Sequence, residues 1–234
     1  MTLPARPLLR DPKALEELLR DGQVRRAPAL SPRAPLPLRT GVAALDAALG
    51  GGIARGQLHE LIGPPGAGGT ALLRAALAAA TSAGELCALI DPADSFDPSA
   101  TGIDLERLLW VRPRDLVQAL RAAEIALEAR FALVALDLGG FEKRPPSPGA
   151  SPWARLSRRA EKHGGALLLL ARSPQAGTFA ATTVELERAR SQWEGRPGAP
   201  GRFLRGAQAV GAVARHKRMP PSAPLPLSLP LQPK

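Results

Sequence analysis

A glycine-rich segment between an apolar run and a helical pattern is the feature that most restricts the fold of this chain. Residues 63–70 read GPPGAGGT; they follow the apolar run 57–62 and precede a helical pattern over 70–83. Glycines in such a turn let successive backbone N–H groups wrap a phosphate, and the N-terminus of the next helix adds its dipole. The pattern therefore predicts a strand, a phosphate loop and a helix in succession.

Apolar runs and helical patterns go on alternating through the middle of the chain. Further apolar runs predict buried strands at 86–91, 108–112, 131–137 and 166–171. Further helical patterns predict helices at 115–129 and 152–163. Near-continuous apolar strands suit a sheet that is covered on both faces. Strands that alternate with helices predict an α/β fold with a mostly parallel, doubly wound sheet. Polar-alternating segments at 182–187 and 207–215 predict antiparallel edge strands near the C-terminus.

Changes in composition divide the chain into four parts. Residues 1–26 carry a short helical pattern, and 27–39 form a proline-rich linker in which neither helix nor sheet is expected. Residues 40–218 form the core. Residues 219–234 contain six prolines with interleaved leucines and are interpreted as having no periodicity, so we expect a disordered tail.

The phosphate loop departs from the standard pattern at one position. In that pattern a lysine reaches the β- and γ-phosphates and the following Ser or Thr binds magnesium, but here the lysine position is Gly69. Because phosphoryl transfer depends on positioned charge, hydrolysis is expected to suffer most. Two interpretations stay open: a tight turn without a ligand, or a degenerate nucleotide site formed by Gly63, Gly66, Gly68, Gly69, Thr70 and, at the end of the run 131–137, Asp137.

Composition excludes several classes of protein. With one Cys and three His, neither an internal disulfide nor the usual zinc site can form, and we expect no metal or cofactor. Apolar runs such as 166–171 are far below the ~20 residues that cross a bilayer, so we expect a cytoplasmic protein without membrane contact. Aromatic residues make up 3% and Tyr is absent, so base-stacking surfaces are not expected.

The net charge of +10 is concentrated at the two ends of the chain. Residues 1–39 carry eight Lys/Arg against four Asp/Glu, 40–187 carry 14 against 16, and 188–218 carry eight against one. This asymmetry predicts a surface for DNA phosphates or an acidic partner; the alternative is solvated charge that protects an edge strand. The candidate residues are Arg155, Arg158, Arg159 and Lys162 on one predicted helix, and Arg188, Arg190, Arg202, Arg205, Arg215, Lys217 and Arg218 near the C-terminus.

Several segments carry a resemblance to a known family. Thr40-Gly41, LDAALGGGI at 45–53 and GQLHELIGP at 56–64 resemble the start of the bacterial RecA recombinase core, and residues 89–98 and 102–109 resemble its next two strands. The resemblance covers about residues 11–218 and is strongest from 40 to 110. Compared with RecA, the resemblance implies a shorter chain without the C-terminal domain. Its size, its defective loop and its basic end are similar to the ImuA family of RecA-like proteins, which accompany ImuB and an error-prone polymerase in mutagenesis cassettes.

The resemblance also shows where this chain departs from RecA chemistry. The catalytic glutamate of the family aligns with Ala93, next to Asp94, and its γ-phosphate-sensing glutamine aligns with Arg172. The adenine-stacking tyrosine would fall near 99–101, where no aromatic residue stands. The two DNA-binding loops of the family correspond to 138–151 and 173–181.

The resemblance implies a non-catalytic accessory protein of the SOS response to DNA damage, acting in mutagenic translesion synthesis. Its expected partners are RecA, an ImuB-type relative of Y-family polymerases, an error-prone replicative-type polymerase and, through phosphates, DNA. The RecA element that docks on the neighbouring protomer resembles a segment that contains Leu15, Leu18, Leu19 and Val24; these leucines equally suit packing on the protein's own core. The alternatives are a weak ATPase, in which Arg74 or the run 215–218 replaces the lysine, and a non-specific DNA-binding module.

Overall fold

The computed structural model describes residues 20, 35–98, 102–140, 149–187, 189–198 and 200–230. The predicted docking residues Leu15, Leu18, Leu19 and Val24 lie outside the described residues, as do Arg188 and most of the first predicted DNA loop. The chain divides into two units, Met1–Pro35 and Leu36–Lys234. Only Arg20 and Pro35 of the first unit are described, so the architecture below is that of the second.

The second unit is a nine-stranded sheet with helices packed against it. Its helices are α1 (Ala43–Ala48), α2 (Gly69–Ser82), α3 (Leu116–Glu128) and α4 (Ala150–His163). Its strands are β1 (Leu58–Ile62), β2 (Cys87–Ile90), β3 (Leu108–Val111), β4 (Leu133–Asp137), β5 (Ala166–Ala171), β6 (Ala180–Leu186), β7 (Arg190–Glu194), β8 (Phe203–His216) and β9 (Leu225–Pro230).

The first six strands of the chain form a parallel sheet in the order β3-β2-β4-β5-β1-β6. Strand β8 continues the sheet antiparallel to β6, and both β7 and β9 pair with β8 in antiparallel fashion. The predicted α/β class, with a mostly parallel sheet and antiparallel strands near the C-terminus, is confirmed.

Two apolar clusters, one on each face of the sheet, explain the strand sequences. Helices α1 and α2 bury their leucines in one cluster, and α3 and α4 bury theirs in the other, around Trp153. Strands β1, β2, β4 and β5 lie between the clusters and have no exposed residue. Continuous apolar strands are therefore what this sheet requires.

Strand β6 differs from the prediction, because it runs parallel to β1. Segment 172–179, with a 3₁₀ turn at Gly177–Phe179, carries the chain from the end of β5 back to the start of β6. Alternation of polar and apolar residues predicts a strand with one exposed face but carries no information about its direction.

The C-terminal tail also differs from the prediction, because residues 225–230 form a strand. The three leucines Leu225, Leu227 and Leu229 alternate with Pro226, Ser228 and Pro230, and Leu227 and Leu229 are fully buried in the cluster around α2. Proline is tolerated in an edge strand, where its missing N–H leaves no ladder partner unsatisfied. The segment does have a periodicity, since leucine recurs at every second residue, and this alternation specifies an edge strand in spite of the prolines.

The predicted linker ends earlier than residue 39. Leu38 is buried and forms an antiparallel bridge with Ile53, with N–H to carbonyl distances of 2.9 and 2.7 Å. The core therefore begins at about Leu36. Among the described residues, no helix is long and apolar enough to span a bilayer.

Candidate functional site

The predicted phosphate loop connects β1 to α2, as the sequence indicated. Gly66 and Gly68 have φ values of +82° and +90°, which side chains with a Cβ rarely adopt. Gly68 is the N-terminal cap of α2. The loop thus has the backbone that its glycines predict, and Thr70 stands exposed in the first turn of the helix.

Apolar side chains occupy the space around the lysine position. A Cβ at Gly69 would lie 2.5 Å from Leu170 Cδ1, and a Cβ at Gly68 would overlap Leu229 of β9. The carbonyl of Gly66 accepts a hydrogen bond from the N–H of Ala189 at 3.0 Å. The protein's own strands β5 and β9 therefore pack against the loop, which is also tied to the segment before β7.

Asp137 lies at the end of β4, as predicted, and is buried. Its Oδ1 accepts a hydrogen bond from the N–H of Gly139 at 2.8 Å. Burial raises the pKa of Asp137 to about 6; the Gly139 N–H opposes this shift and the negative charge of Asp91 adds to it. Leu170, which faces Gly69, also approaches Gly139. An apolar side chain thus lies between the phosphate loop and the turn that holds Asp137.

The positions that align with the RecA catalytic residues have other contacts here. A Cβ at Gly140 would lie 2.8 Å from Ala93 Cβ, so the space beside Ala93 is narrow. Asp94, with φ of +52°, pairs with Arg112 at 3.5 Å. Arg172 Nε donates a hydrogen bond to the Gly139 carbonyl at 2.9 Å. Asp94 and Arg172 thus have partners within the neighbouring loops.

Sequence reasoning missed Glu60, a carboxylate buried in the middle of β1. Its Oε1 accepts hydrogen bonds from the backbone N–H groups of Gln175 and Ala176, at 2.6 and 3.1 Å. It thereby fixes the start of segment 172–179, which connects β5 to β6. A charged residue inside a strand that is expected to be buried on both faces was the signal, because a buried charge needs partners.

The predicted basic face of α4 is partly neutralised by α3. Arg155 Nε lies 2.9 Å from Glu124 Oε1, and Arg159 pairs with both Glu124 and Glu128. Arg158 and Lys162 are exposed. The charge pattern of one helix does not show the acidic residues of its neighbour. Two of the four candidate cations, Arg155 and Arg159, are thus paired with carboxylates, and the binding role of this face stays a prediction.

The basic C-terminal segment is split between the two ends of β8. Arg190, Arg202 and Arg205 lie on β7 or beside it, whereas Lys217 and Arg218 follow the other end of β8, up to about 45 Å away along the strand. Arg215 donates hydrogen bonds to the carbonyls of Gly177 and Thr178. The structure therefore does not bring these residues together into one stripe. Among the described residues, no cluster of three or more His, Cys, Asp or Glu could hold a metal ion.

Known proteins resemble the N-terminal half of this core most closely in sequence. Residues 35–137 match the family described as RecA N-terminal domain. RecA of Rubrobacter xylanophilus is 37% identical over 91 residues, which cover 37% of this chain and 26% of that protein. The chloroplastic DNA repair protein recA homolog 1 of Arabidopsis thaliana is 33% identical over 88 residues, covering 36% of this chain and 20% of that protein. The match thus spans about a quarter of these relatives.

The fold extends the similarity beyond the matched segment. The crystal structure of the RadB recombinase superposes with a TM-score of 0.62 at 20% identity, covering 83% of this chain and 97% of that chain. The matched sequence segment contains the phosphate loop and ends at Asp137. Together these comparisons support a RecA-core fold for this chain, as the resemblance predicted.

Proposed function

We propose that this chain is a non-catalytic RecA-like accessory protein of SOS mutagenesis and translesion DNA synthesis, which binds RecA and modulates or inhibits its filament. The observation that carries the proposal is the phosphate loop. Its lysine position is Gly69, and Leu170 and Leu229 fill the adjacent space. Phosphoryl transfer relies on charges placed around the phosphates, and here apolar side chains pack against that part of the loop.

Two further departures support the absence of turnover. Ala93 stands where the RecA resemblance places the catalytic glutamate, and Arg172, aligned with the phosphate-sensing glutamine, is bonded to the Gly139 carbonyl. A general base within reach of the attacking water is needed for hydrolysis. The similarity of the chain to the ImuA family in its phosphate loop and its basic C-terminal segment supports a role in mutagenesis rather than recombination.

A free sheet edge supports a protein partner. Strand β3 ends the described sheet, and Leu105 and Leu109, at 49% and 46% exposure, are apolar side chains on or beside it. An unpaired edge with exposed leucines can accept an added strand. This edge is one candidate surface for RecA, and the leucines of the N-terminal segment are a separate candidate.

The proposal is tested by pull-down of the full chain with RecA, with and without single-stranded DNA. A variant with Leu15, Leu18 and Leu19 changed to Gln is expected to lose RecA at any salt concentration, because screening affects burial of an apolar helix face little. The matched control changes Leu3, Leu8 and Leu9 to Gln. Failure of the wild-type chain to bind RecA contradicts the function. A folded Leu15/Leu18/Leu19 variant that still binds RecA moves the contact elsewhere, and Leu109→Lys then tests the β3 edge.

The same proposal extends to an ImuB-type partner and an error-prone replicative-type polymerase. Co-purification of the full chain with each of them, and with both together, is the direct test. Binding of RecA without either partner would restrict the function to filament modulation.

Retention of Thr70 and Asp137 favours one alternative, a weak ATPase. It needs a cation in place of the lysine, from Arg74 or from the run 215–218 of another copy. Arg215 is bonded to the carbonyls of Gly177 and Thr178, which leaves Lys217 and Arg218 as the exposed cations of that run. Magnesium-dependent turnover that is abolished by Asp137→Ala would establish this alternative; absence of turnover supports the accessory role.

A further inference from the structure

The hairpin formed by β7 and the first part of β8, residues 190–205 and here called the ribbon, leaves the core with both faces open. Every residue of β7 is exposed, as are residues 201–205. Trp193, Phe203 and Leu204 are 49%, 62% and 40% exposed. A two-stranded ribbon is marginally stable in water by itself. Large apolar side chains on such a ribbon therefore indicate a binding surface.

The ribbon is also strongly cationic. It carries four arginines and one glutamate, a net charge of +3. Arg205 pairs with Glu194, whereas Arg190, Arg196 and Arg202 form no ion pair with an acidic residue of the described chain. The guanidinium of Arg202 lies 5.0 Å from the centroid of the Trp193 ring. Positive charge and aromatic surface are thus combined in one element.

We propose that the ribbon binds single-stranded nucleic acid, with Trp193 and Phe203 stacking on bases and Arg190, Arg196 and Arg202 contacting phosphates. Base stacking on aromatic rings within a basic surface is the general chemistry of single-strand binding. Trp193 is paired with Leu204 and Phe203 with Glu194, so the two rings lie on opposite faces of the ribbon. A strand that passes around the ribbon can therefore place bases on both rings.

Duplex DNA fits this surface less well than a single strand. The faces of duplex bases are hidden in the stack, whereas every base of a single strand offers an open face to an aromatic ring. An acidic protein segment would match the charge, but it has no regular series of flat rings for Trp193 and Phe203. The combination of unpaired arginines with two exposed rings favours the nucleic acid.

A groove at the base of the ribbon gives the strand a place to continue. Its volume is about 520 Å³, and its lining includes Gln192, Arg205 and Ser228 together with residues 41–44. Grooves of this size accept groups as large as a nucleotide. The polar side chains in the lining can donate hydrogen bonds to base edges or phosphates.

The affinity test uses the full chain and a fluorescent oligothymidylate of about 20 nucleotides. Trp193→Ala and Phe203→Ala are each expected to weaken binding about 5- to 100-fold with an unchanged salt dependence, since stacking does not release counterions. The variant with Arg190, Arg196 and Arg202 changed to Ala is expected to reduce the slope of log affinity against log salt by about 2. The matched control changes Arg33, Arg114 and Arg121 to Ala, which removes the same charge from outside every candidate binding surface and is expected to leave affinity within about twofold.

A spectroscopic test locates the contact. Trp193 is the most exposed of the three tryptophans, because Trp153 is buried and Trp110 is partly buried. Stacking of thymine on Trp193 quenches its emission. Trp193→Phe is expected to keep most of the affinity while losing the quench. An oligouridylate of equal length separates RNA from DNA as the bound strand.

Four results would overturn this inference: no binding by the wild-type chain, equal affinity for a duplex of the same length, unchanged affinity in both ring variants, or an equal loss in the control variant. The variants are expected to keep the wild-type fold, because all substituted ribbon side chains are exposed. The thermal midpoint of each variant checks this. The inference is independent of RecA binding, so a chain that binds RecA but no oligonucleotide contradicts this inference alone.

Discussion

Gly69 marks the difference between a phosphate loop with a catalytic cation and the loop in this chain. Its sequence position predicted the loss of a charge, but only the structure shows that Leu170 has taken the space. The neighbours of a loop residue come from strands far away in the chain, so their identity cannot be derived from the spacing of the loop itself. The backbone of the loop was predictable because its glycines are local determinants of conformation.

Gly69→Lys is therefore expected to destabilise the protein without restoring a nucleotide site. Its Cβ would lie 2.5 Å from Leu170 Cδ1, and overpacking of this kind costs about 1–3 kcal/mol. Adding Leu170→Ala provides room, so the double variant should bind a fluorescent ATP analogue more tightly than the single variant. Neither should hydrolyse ATP, because position 93 has no carboxylate. Denaturant unfolding and analogue titration check these outcomes. A Gly69→Lys variant that is as stable as the wild type and binds the analogue tightly would show that the space around the phosphate loop is open.

His59 gives the fold a defined dependence on pH. Burial lowers the pKa of His59 to about 4, which its hydrogen bond with the Ala54 carbonyl partly opposes. Because the folded-state pKa lies below the ordinary value of 6.5, the unfolded chain binds more protons between these two values. The stability contributed by neutral His59 is present above pH 6.5 and is lost as the pH falls toward 4.

His59→Gln is expected to remove this dependence while keeping a donor to the Ala54 carbonyl. Relative to the variant, the wild-type chain should lose on the order of 3 kcal/mol between pH 6.5 and pH 4. Urea unfolding at several pH values measures the difference. Parallel curves for the two proteins would mean that His59 is accessible to protons in the folded state.

At the scale of elements, the inner strands and the three long helices were predictable and the C-terminal edge was not. Runs such as 166–171 carry a continuous apolar signal, and the structure places β5 at those residues. The direction of β6 and the pairing of β9 depend on which strand edge is free. That property belongs to the assembled sheet and is not encoded in segment 225–230 itself.

Strand β9 is expected to be necessary for stability. Leu227→Ala and Leu229→Ala each delete a fully buried side chain and should cost about 2–5 kcal/mol, whereas Ser228→Ala changes an exposed side chain on the same strand and should cost less than about 0.5 kcal/mol. Removal of residues 220–234 should lower the thermal midpoint by many degrees. Midpoints from differential scanning calorimetry check all four proteins. An unchanged midpoint after truncation would show that these residues do not contribute to the stability of the fold.

At the scale of the whole molecule, the excess charge predicted a binding surface but not its shape. The basic residues of 188–218 are close together in the sequence. In the structure those that are described form two separate groups, one at each end of β8. The acidic residues Glu124 and Glu128 reduce the free charge of α4. The low aromatic content did not reveal that Trp193 and Phe203 share one exposed ribbon. The average composition of a chain does not show that its few aromatic residues lie close together on the surface.

The chain divides at residue 35, so a deletion can remove the first unit and leave the second. Both apolar clusters of the second unit draw their described buried residues from Leu38 to Leu229. Deletion of residues 1–34 is therefore expected to leave the thermal midpoint of the core within about 2 °C, since 1 kcal/mol corresponds to about 2–4 °C in a domain of this size. The same deletion should abolish RecA association, because it removes Leu15, Leu18, Leu19 and Val24.

Deletion of residues 1–10 alone is the control and should retain RecA association, because all four of the proposed docking residues remain. Calorimetry and pull-down of both truncated chains separate the two roles of the N-terminal leucines. A large fall in the midpoint after deletion of 1–34 would show that these leucines pack on the protein's own core. An unchanged midpoint with RecA still bound would assign the contact to the second unit, where the exposed edge of β3 is the first surface to test.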